Sequence, residues 1–462
     1  MTAHPPTTAT GAVSLGDPYL PGSGNGGYHV RHYDLDLDYR VAANRLTATA
    51  RIQATATATL GRFSLDLAGL RVAKVTIDGR RAAHFAQRGR KLHLTPAAPI
   101  PAGSDFEVDV RYSGNPLPVR GDWGEVGWEE LTDGVIVAGQ PDGAPSWFPC
   151  NDHPSNKAGY RISVTTESPY TVLANGRLTG RRVHGSRTTW QFDQPEPMAT
   201  YLASVQIGRY ELRSLADRPI RQAGAVPARL RRTFATDFAR QPAMMTAFQR
   251  LFGPYPFAEY TVVVTDDELE IPLEAQGMSV FGANHVDGRR GSERLLAHEL
   301  AHQWFGNSLT VQRWQDIWLH EGFACYAEWL WSQESGGPSA DSLARKAWRR
   351  LAGLPQDLVI ADPGPALMFD DRVYKRGALT LHALRLVVGD PAFFALLRSW
   401  VSAHRFGHVS TDAFLRFATS ADPANTEPGL RDRIAAVLSA WLFTPALPPL
   451  PDAANPAPSP HP

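Results

Sequence analysis

The chain divides where the spacing of its apolar residues changes. In YDLDLDYRV, the residues Tyr33, Leu35, Leu37, Tyr39 and Val41 alternate with Asp34, Asp36, Asp38 and Arg40, and the same period of two returns in LTATARIQATATATL from Leu46 to Leu60. A strand sends successive side chains to opposite faces, so both segments predict strands with one face buried and one in water. Short segments of this kind, punctuated by turn signals such as IDGR and SGNP, continue to about residue 213 with no convincing helical stretch among them. From about Asp237 the period becomes helical: RLLAHELAHQWF, EGFACYAEWLWSQ, GALTLHALRLVV, PAFFALLRSWVSA and LRDRIAAVLSAWL read as amphipathic or buried helices. One run, YTVVVTDDELE, still reads as a strand and predicts a small sheet beside the helices. The expectation is an α+β multidomain chain. A tail over 1–27 precedes an antiparallel β-sandwich or saddle domain over 28–213, and a mainly helical domain follows over 214–443. The Pro-rich ends, 1–27 and 444–462, have the composition of disordered tails.

Composition narrows the partners. At 462 residues the chain is long enough for two or three domains, each burying most of its apolar surface. Lys+Arg and Asp+Glu are both 46, so no broad basic field exists to draw nucleic acid or anionic lipid. The first 25 residues hold neither a basic leader nor an apolar run, and no later stretch reaches the ~18 consecutive apolar residues of a membrane span. The two cysteines, Cys150 and Cys325, stand in unrelated contexts without CxxC spacing, which argues against a disulfide framework and a thiolate metal site. These features fit a cytoplasmic monomer or weak oligomer with no nucleic-acid or membrane partner.

The chemistry begins at HELAHQWFGN, residues 298 to 307. On a helix His298 and His302 lie one turn apart on a single face, the spacing of a zinc pair, with Glu299 beside the first. A catalytic zinc usually takes three protein ligands and leaves a fourth position for water. The third candidate is Glu321 in WLHEGFACYAEWL, nineteen residues after His302 and in a second helical segment entered through Asp316. A helix, a short connection and a returning helix would bring that carboxylate back to the two imidazoles. Zinc held by His298, His302 and Glu321 would lower the pKa of a bound water and polarise a peptide carbonyl, and Glu299 would take the water's proton and pass it to the leaving amine.

Beyond these residues the sequence resembles the aminopeptidase N family of gluzincin zinc metallopeptidases, which also contains the leukotriene hydrolase-type enzymes. SWFPCNDHP (146 to 154) is similar to the family's FPCxDxP segment, PMATYLASVQIGRYE to its strand leading out of the N-terminal domain, and FGPYPFAEYTVVV to its entry into the catalytic domain. HELAHQWFGNSLT and WLHEGFA resemble the metal segments and VYKRGALTL the YxKGA segment, all in family order from about Tyr28 to about Trp441. The resemblance implies a thermolysin-like catalytic domain, one zinc per chain and peptide substrates cleaved from the N-terminus. It implies that Tyr374 stabilises the oxyanion. It also implies that Glu274, 24 residues before His298, receives the substrate's ammonium, with Gln140 as a second amine-binding group. The family's Gly-Ala-Met-Glu-Asn loop reads IPLEA here, so Ile271, Pro272, Leu273 and Ala275 depart from the pattern. His320 stands where the family usually has Asn and reads as a supporting or surface residue rather than a fourth ligand.

The remaining features have plainer readings. Trp304, Trp314, Trp318, Trp329 and Trp331 would wall the metal helices into a dry core, TDDELE (265 to 270) would be a solvated rim, and Cys325 a buried small hydrophobe. Only 88 residues follow Tyr374, too few for the large helical domain of long family members. The resemblance is therefore to a short form, expected to have an open cleft and no group for a peptide's far end. Two alternatives to the aminopeptidase stay open. One is a zinc hydrolase of the same scaffold acting as an endopeptidase or epoxide hydrolase. The other is a non-catalytic binding protein, against which the intact Glu299 argues.

Overall fold

A computed structural model describes residues 9–420 and 429–452. They form two compact units: Met1–Ala235 with Phe257–Gly288, and Thr236–Pro256 with Arg289–Pro462.

The first unit is built on an eight-stranded sheet centred on Tyr28–Arg40. Tyr33, Leu35, Leu37 and Tyr39 are fully buried there, while Asp34, Asp36 and Asp38 take the wetter face, as the alternation predicts. Val41 has already left the strand and opens a 3-10 turn. The sheet is not wholly antiparallel. Tyr28–Arg40 pairs antiparallel with Arg45–Ala56 but parallel with Lys157–Glu167, a partner brought in from far along the chain. Further sheets of four and five strands complete the β-rich part.

The run read as a small sheet beside the helices belongs to this unit instead. Glu259–Val264 lies between Arg221–Pro227 and Met278–Phe281 and is parallel to both. Its backbone bonds are made there, and Val263, Met278 and Val280 join Ile136, Leu173 and Tyr210 in one apolar cluster. The compact units therefore interleave along the chain, where a single cut after residue 213 was expected.

Both expected tails are ordered over the parts described. Residues 9–27 lack regular structure beyond Ala9–Thr10, yet their polar groups are met by the β-unit: Gly11 N donates to Arg62 O at 2.7 Å, and buried Asn25 donates to Asp66 at 2.7 Å. Past Phe443, Arg376 donates to the carbonyl of Pro445 at 2.6 Å, and Trp348 Nε1 donates to Pro448 O at 2.7 Å. Proline-rich composition forbids helix and sheet but not packing. Residues 1–8 and 453–462 of the expected tails lie outside the described residues.

After α1 (Arg231–Asp237), the second unit carries α2 (Gln241–Phe252), α3 (Glu293–His302), α4 (Trp318–Glu334), α5 (Ala340–Ala352), α6 (Asp371–Val388), α7 (Asp390–Ala403), α8 (Thr411–Ser420) and α9 (Leu430–Phe443). Every residue of α4 from Trp318 to Trp331 is buried, which is why this stretch is apolar on all sides. The five tryptophans are at most 5% exposed, as a dry wall requires. Where α4 meets α6, a Cβ built on Gly322 would lie 2.8 Å from Gly377 Cα, so only glycine allows the two helices to pack this closely. Asp316, expected to open α4, instead accepts from Thr411 N (2.9 Å) and Oγ1 (2.6 Å), at the start of α8. Among the described residues no helix is long and apolar enough to cross a membrane.

Candidate metal centre

The helical spacing on α3 puts His298 and His302 side by side, with ring centroids 4.7 Å apart. The chain then turns through Gln303–Ile317 and returns as α4, carrying Glu321 to the imidazoles. Glu321 Oε2 lies 3.3 Å from His298 Nε2 and 3.5 Å from His302 Nε2. Together the three offer ligand atoms within 4.8 Å of one another, all buried. This is the arrangement expected from the eighteen-residue gap between His302 and Glu321.

The donor chemistry fits a cation. His302 Nδ1 lies 3.0 Å from Phe305 O, and only its N–H form can bond a carbonyl, so its Nε2 carries the lone pair. His298 Nδ1 lies 2.8 Å from Glu328 Oε1, which likewise leaves its Nε2 as the electron-pair donor. Two lone pairs and a carboxylate thus converge on one point, an arrangement that repels itself unless positive charge sits there. The protonation equilibria say the same. Burial opposes charge on His298, yet hydrogen bonds from its ring N–H groups to the Glu321 and Glu328 carboxylates outweigh it and raise its pKa to about 10. Burial would raise Glu321, but the two histidines hold it far below the usual carboxylate range. A His₂Glu set with an open position suits zinc.

Two other predicted residues sit at this centre. Glu299 is 4% exposed and near enough to His298 to favour its protonated form. Tyr374, half-buried on α6, stacks its ring at 6.0 Å and 16° from His298. The Gly322–Gly377 crossing makes this possible, because it pulls α6 down onto α4 one turn beyond Tyr374.

Glu274 and Gln140 belong to the β-rich unit. The departures from the family loop leave the backbone well tied around Glu274: Leu273 and Val280 exchange two hydrogen bonds of 2.9 Å, and Ala275 O accepts from Met278 N at 3.0 Å. Glu274 itself is half-buried. Ala275 and Ile136 share the apolar cluster that roots both this loop and the strand preceding Gln140. The Gln140 amide nitrogen is buried without a hydrogen-bond partner among the described residues. His320 is 1% exposed, and its Nε2 accepts from Val311 N at 2.9 Å. It is a buried tie between the connecting segment and α4, neither a surface residue nor a ligand. Asp267 of the acidic run accepts from Thr132 N, as a rim residue does, and Cys325 is fully buried with its pKa pushed up to about 12 by burial.

Glu328 escaped the sequence reading. It stands seven residues after Glu321, two turns along the same face of α4, and that spacing was the available signal. Its Oε1 also accepts from Arg294 at 2.9 Å, while Lys375 Nζ lies 3.9 Å from Oε2. Burial raises the Glu328 pKa, and the hydrogen bond from His298 together with nearby cations more than reverses it.

Comparison with known proteins agrees with this centre. Residues 29–202 match the peptidase M1 N-terminal domain and residues 236–441 the peptidase family M1 domain. The crystal structure of an M1 zinc metallopeptidase from Deinococcus radiodurans is 31% identical, with a TM-score of 0.86 over 96% of this chain and 100% of that one. A mutant of that enzyme bound to a Tyr-Ser-Ala substrate fits equally well, at 31% identity and a TM-score of 0.86 over 95% and 99%. A probable aminopeptidase 1 of Sulfurisphaera tokodaii is 22% identical over 84% of this chain. The chain spans about half the length of that curated relative, 50%. Matched in both parts and along its length, the chain belongs to peptidase family M1, and zinc is its metal.

Proposed function

We propose that the chain is a zinc aminopeptidase that releases N-terminal amino acids from peptides, with His298, His302 and Glu321 as the metal ligands. The observation that carries this reading is the convergence of the three donors with Glu299 and Tyr374 beside them. When bound, zinc supplies a Lewis acid that polarises the scissile carbonyl and lowers the pKa of water toward ~7. Glu299 accepts the attacking water's proton and returns it to the leaving amine. Tyr374 donates its O–H to the carbonyl oxygen as negative charge develops there, a contribution of roughly 3 kcal/mol. Glu274 receives the substrate's α-ammonium, and Gln140 offers its amide to the same end. The anchoring of the loop on both sides of Glu274 supports this role despite its changed sequence. The protein works in the cytoplasm as a monomer or weak oligomer, consistent with two free buried cysteines.

The test uses the purified full chain with zinc against one peptide in free and N-acetylated forms, with and without chelator. Cleavage of the free form alone, lost with chelator and restored by zinc, is expected. Equal cleavage of both forms would favour an endopeptidase. In Glu274→Ala, KM for the free peptide should rise strongly and the difference between the two forms should narrow.

A further inference from the structure

A cavity of about 640 Å³ opens among α3, α4, α5 and α6, within the helical unit. That volume falls in the ~300–1,000 Å³ range of pockets that bury small organic ligands. No zinc ligand lines it, and neither do Glu299 and Tyr374, so it is a compartment apart from the reacting atoms. Glu328 nonetheless forms part of its wall, and Glu328 Oε1 lies 2.8 Å from His298 Nδ1.

Beside Glu328 stands a cation whose partners stop short. Lys375 lines the cavity with its side chain only 17% exposed, yet the carboxylate oxygens of Glu328 and Asp371 lie 3.9 and 4.0 Å from its Nζ, beyond hydrogen-bond distance. The Cys325 thiol is within reach at 3.2 Å, but burial keeps it neutral. A buried ammonium is costly unless opposite charge and hydrogen bonds meet it. The acids around it are engaged elsewhere. Glu328 Oε1 serves His298 and Arg294, and Asp371 lies 3.0 Å from Arg350. Glu293 faces Arg240 at 3.2 Å and accepts from Trp331 Nε1. Lys346 enters the lining from α5, exposed and with no ion pair or hydrogen bond among the described residues. Arg294, Lys346, Arg350 and Lys375 thus outnumber Glu293, Glu328 and Asp371, and Trp329 and Trp331 supply an apolar wall. This surplus of cations beside flat apolar surface suits an organic anion with an aromatic body.

We propose that this cavity binds a small aryl carboxylate that is not a substrate, and that the bound anion tightens zinc through Glu328. Its carboxylate meets Lys375, in the field of Lys346 and Arg350, and its ring lies against the tryptophan wall. The coupling follows from charge. Lys375 and Arg294 both draw on the carboxylate that faces His298. An anion that engages Lys375 leaves more of the Glu328 charge to His298 and adds negative charge behind the metal ligands. Zinc and the anion must then favour each other by the same factor. The proposal rests on the zinc centre and not on peptide cleavage.

The probes are 3-phenylpropionate, its amide and acetate, titrated by calorimetry into the zinc-loaded full chain. The acid should bind a single site at least about tenfold more tightly than the amide, which lacks the charge, or acetate, which lacks the ring. Competition with a chelator should show the zinc dissociation constant falling about fivefold when the acid is saturating. Ala347→Phe fills the cavity from α5 without changing a charge and should abolish both effects. Lys375→Gln should bind acid and amide alike, and it decides if a thermal melt shows Ala347→Phe to be misfolded. Because a carboxylate can also sit on the metal, the titration is repeated with the zinc occupied by leucine hydroxamate. Undiminished binding there supports the cavity. Binding that hydroxamate prevents, or that survives in Ala347→Phe, puts the probe elsewhere and overturns the proposal. No saturable binding, or equal binding of acid and amide to the native chain, overturns it too. An unchanged zinc constant with the cavity filled refutes the coupling through Glu328.

Discussion

Replacing Glu328 tests whether the metal centre depends on a residue that touches no metal. Its carboxylate is 4% exposed, lies 2.8 Å from His298 Nδ1, accepts from Arg294 at 2.9 Å and lies 3.9 Å from Lys375. It holds the His298 ring in place with Nε2 toward Glu321, and its charge makes that nitrogen a better donor. Glu328→Gln keeps the volume and leaves an oxygen that can still accept from Nδ1, but removes the charge. A hydrogen bond to a charged group exceeds a neutral one by roughly 1 kcal/mol, so zinc affinity should fall about five- to tenfold. Glu328→Ala also removes the acceptor and leaves Arg294 and Lys375 facing His298 with nothing between, and the loss should approach about 100-fold. The assay is the zinc dissociation constant, measured by competition with a chelator of known affinity, beside a thermal melt of the zinc-loaded proteins. If Glu328→Ala is too unstable to assay, the Gln variant decides. Zinc binding within twofold of native in Glu328→Gln, with the fold intact, would refute the reasoning.

Four further outcomes are expected. Glu299→Gln should retain about one zinc per chain and lose at least ~100-fold in kcat, whereas removal of His298, His302 or Glu321 should abolish zinc binding; metal analysis beside steady-state kinetics distinguishes the cases, and near-normal turnover of Glu299→Gln sinks the mechanism. Tyr374→Phe, which removes only a donor, should lower kcat by about 100-fold with KM little changed, and an effect confined to KM would contradict its assignment. Gly322→Val must force α4 from α6 at a 2.8 Å approach, so denaturant unfolding should show a loss of ~1–3 kcal/mol, and a variant as stable as native would show that the crossing tolerates a side chain. Burial, and next to it the charge of Asp66, pushes Asp152 in the β-rich unit up to about 8. From about pH 4 to about 8 the unfolded chain has released this proton and the folded chain keeps it, so stability falls as pH rises through that window; Asp152→Asn should flatten the fall in melting temperature, and parallel curves would rule the group out.

Periodicity was enough to separate strand from helix. A half-buried strand and a helix with a buried face each repeat their contact with the core at a fixed interval, so Tyr33 to Tyr39 and His298 to His302 could be placed on faces without knowing what covers them. The ligand set was legible for a related reason: His298 and His302 are neighbours by local geometry, and the Glu321 helix had only one short connection to cross. What depended on non-local pairing was not legible. The parallel partnership of Tyr28–Arg40 with Lys157–Glu167 and the capture of Glu259–Val264 by Arg221–Pro227 are chosen by strands distant in sequence. Composition misjudged 9–27 and 444–452 because Pro and Gly report the absence of regular hydrogen bonding within a segment, while Asp66, Arg62 and Arg376 supply that bonding from elsewhere. The role of Glu328 became visible only in three dimensions. Its interval from Glu321 puts it on the ligand face of α4, but its meaning lies in what stands opposite, His298 on α3, and side chains on different helices come to face each other through packing, which no interval along the chain encodes.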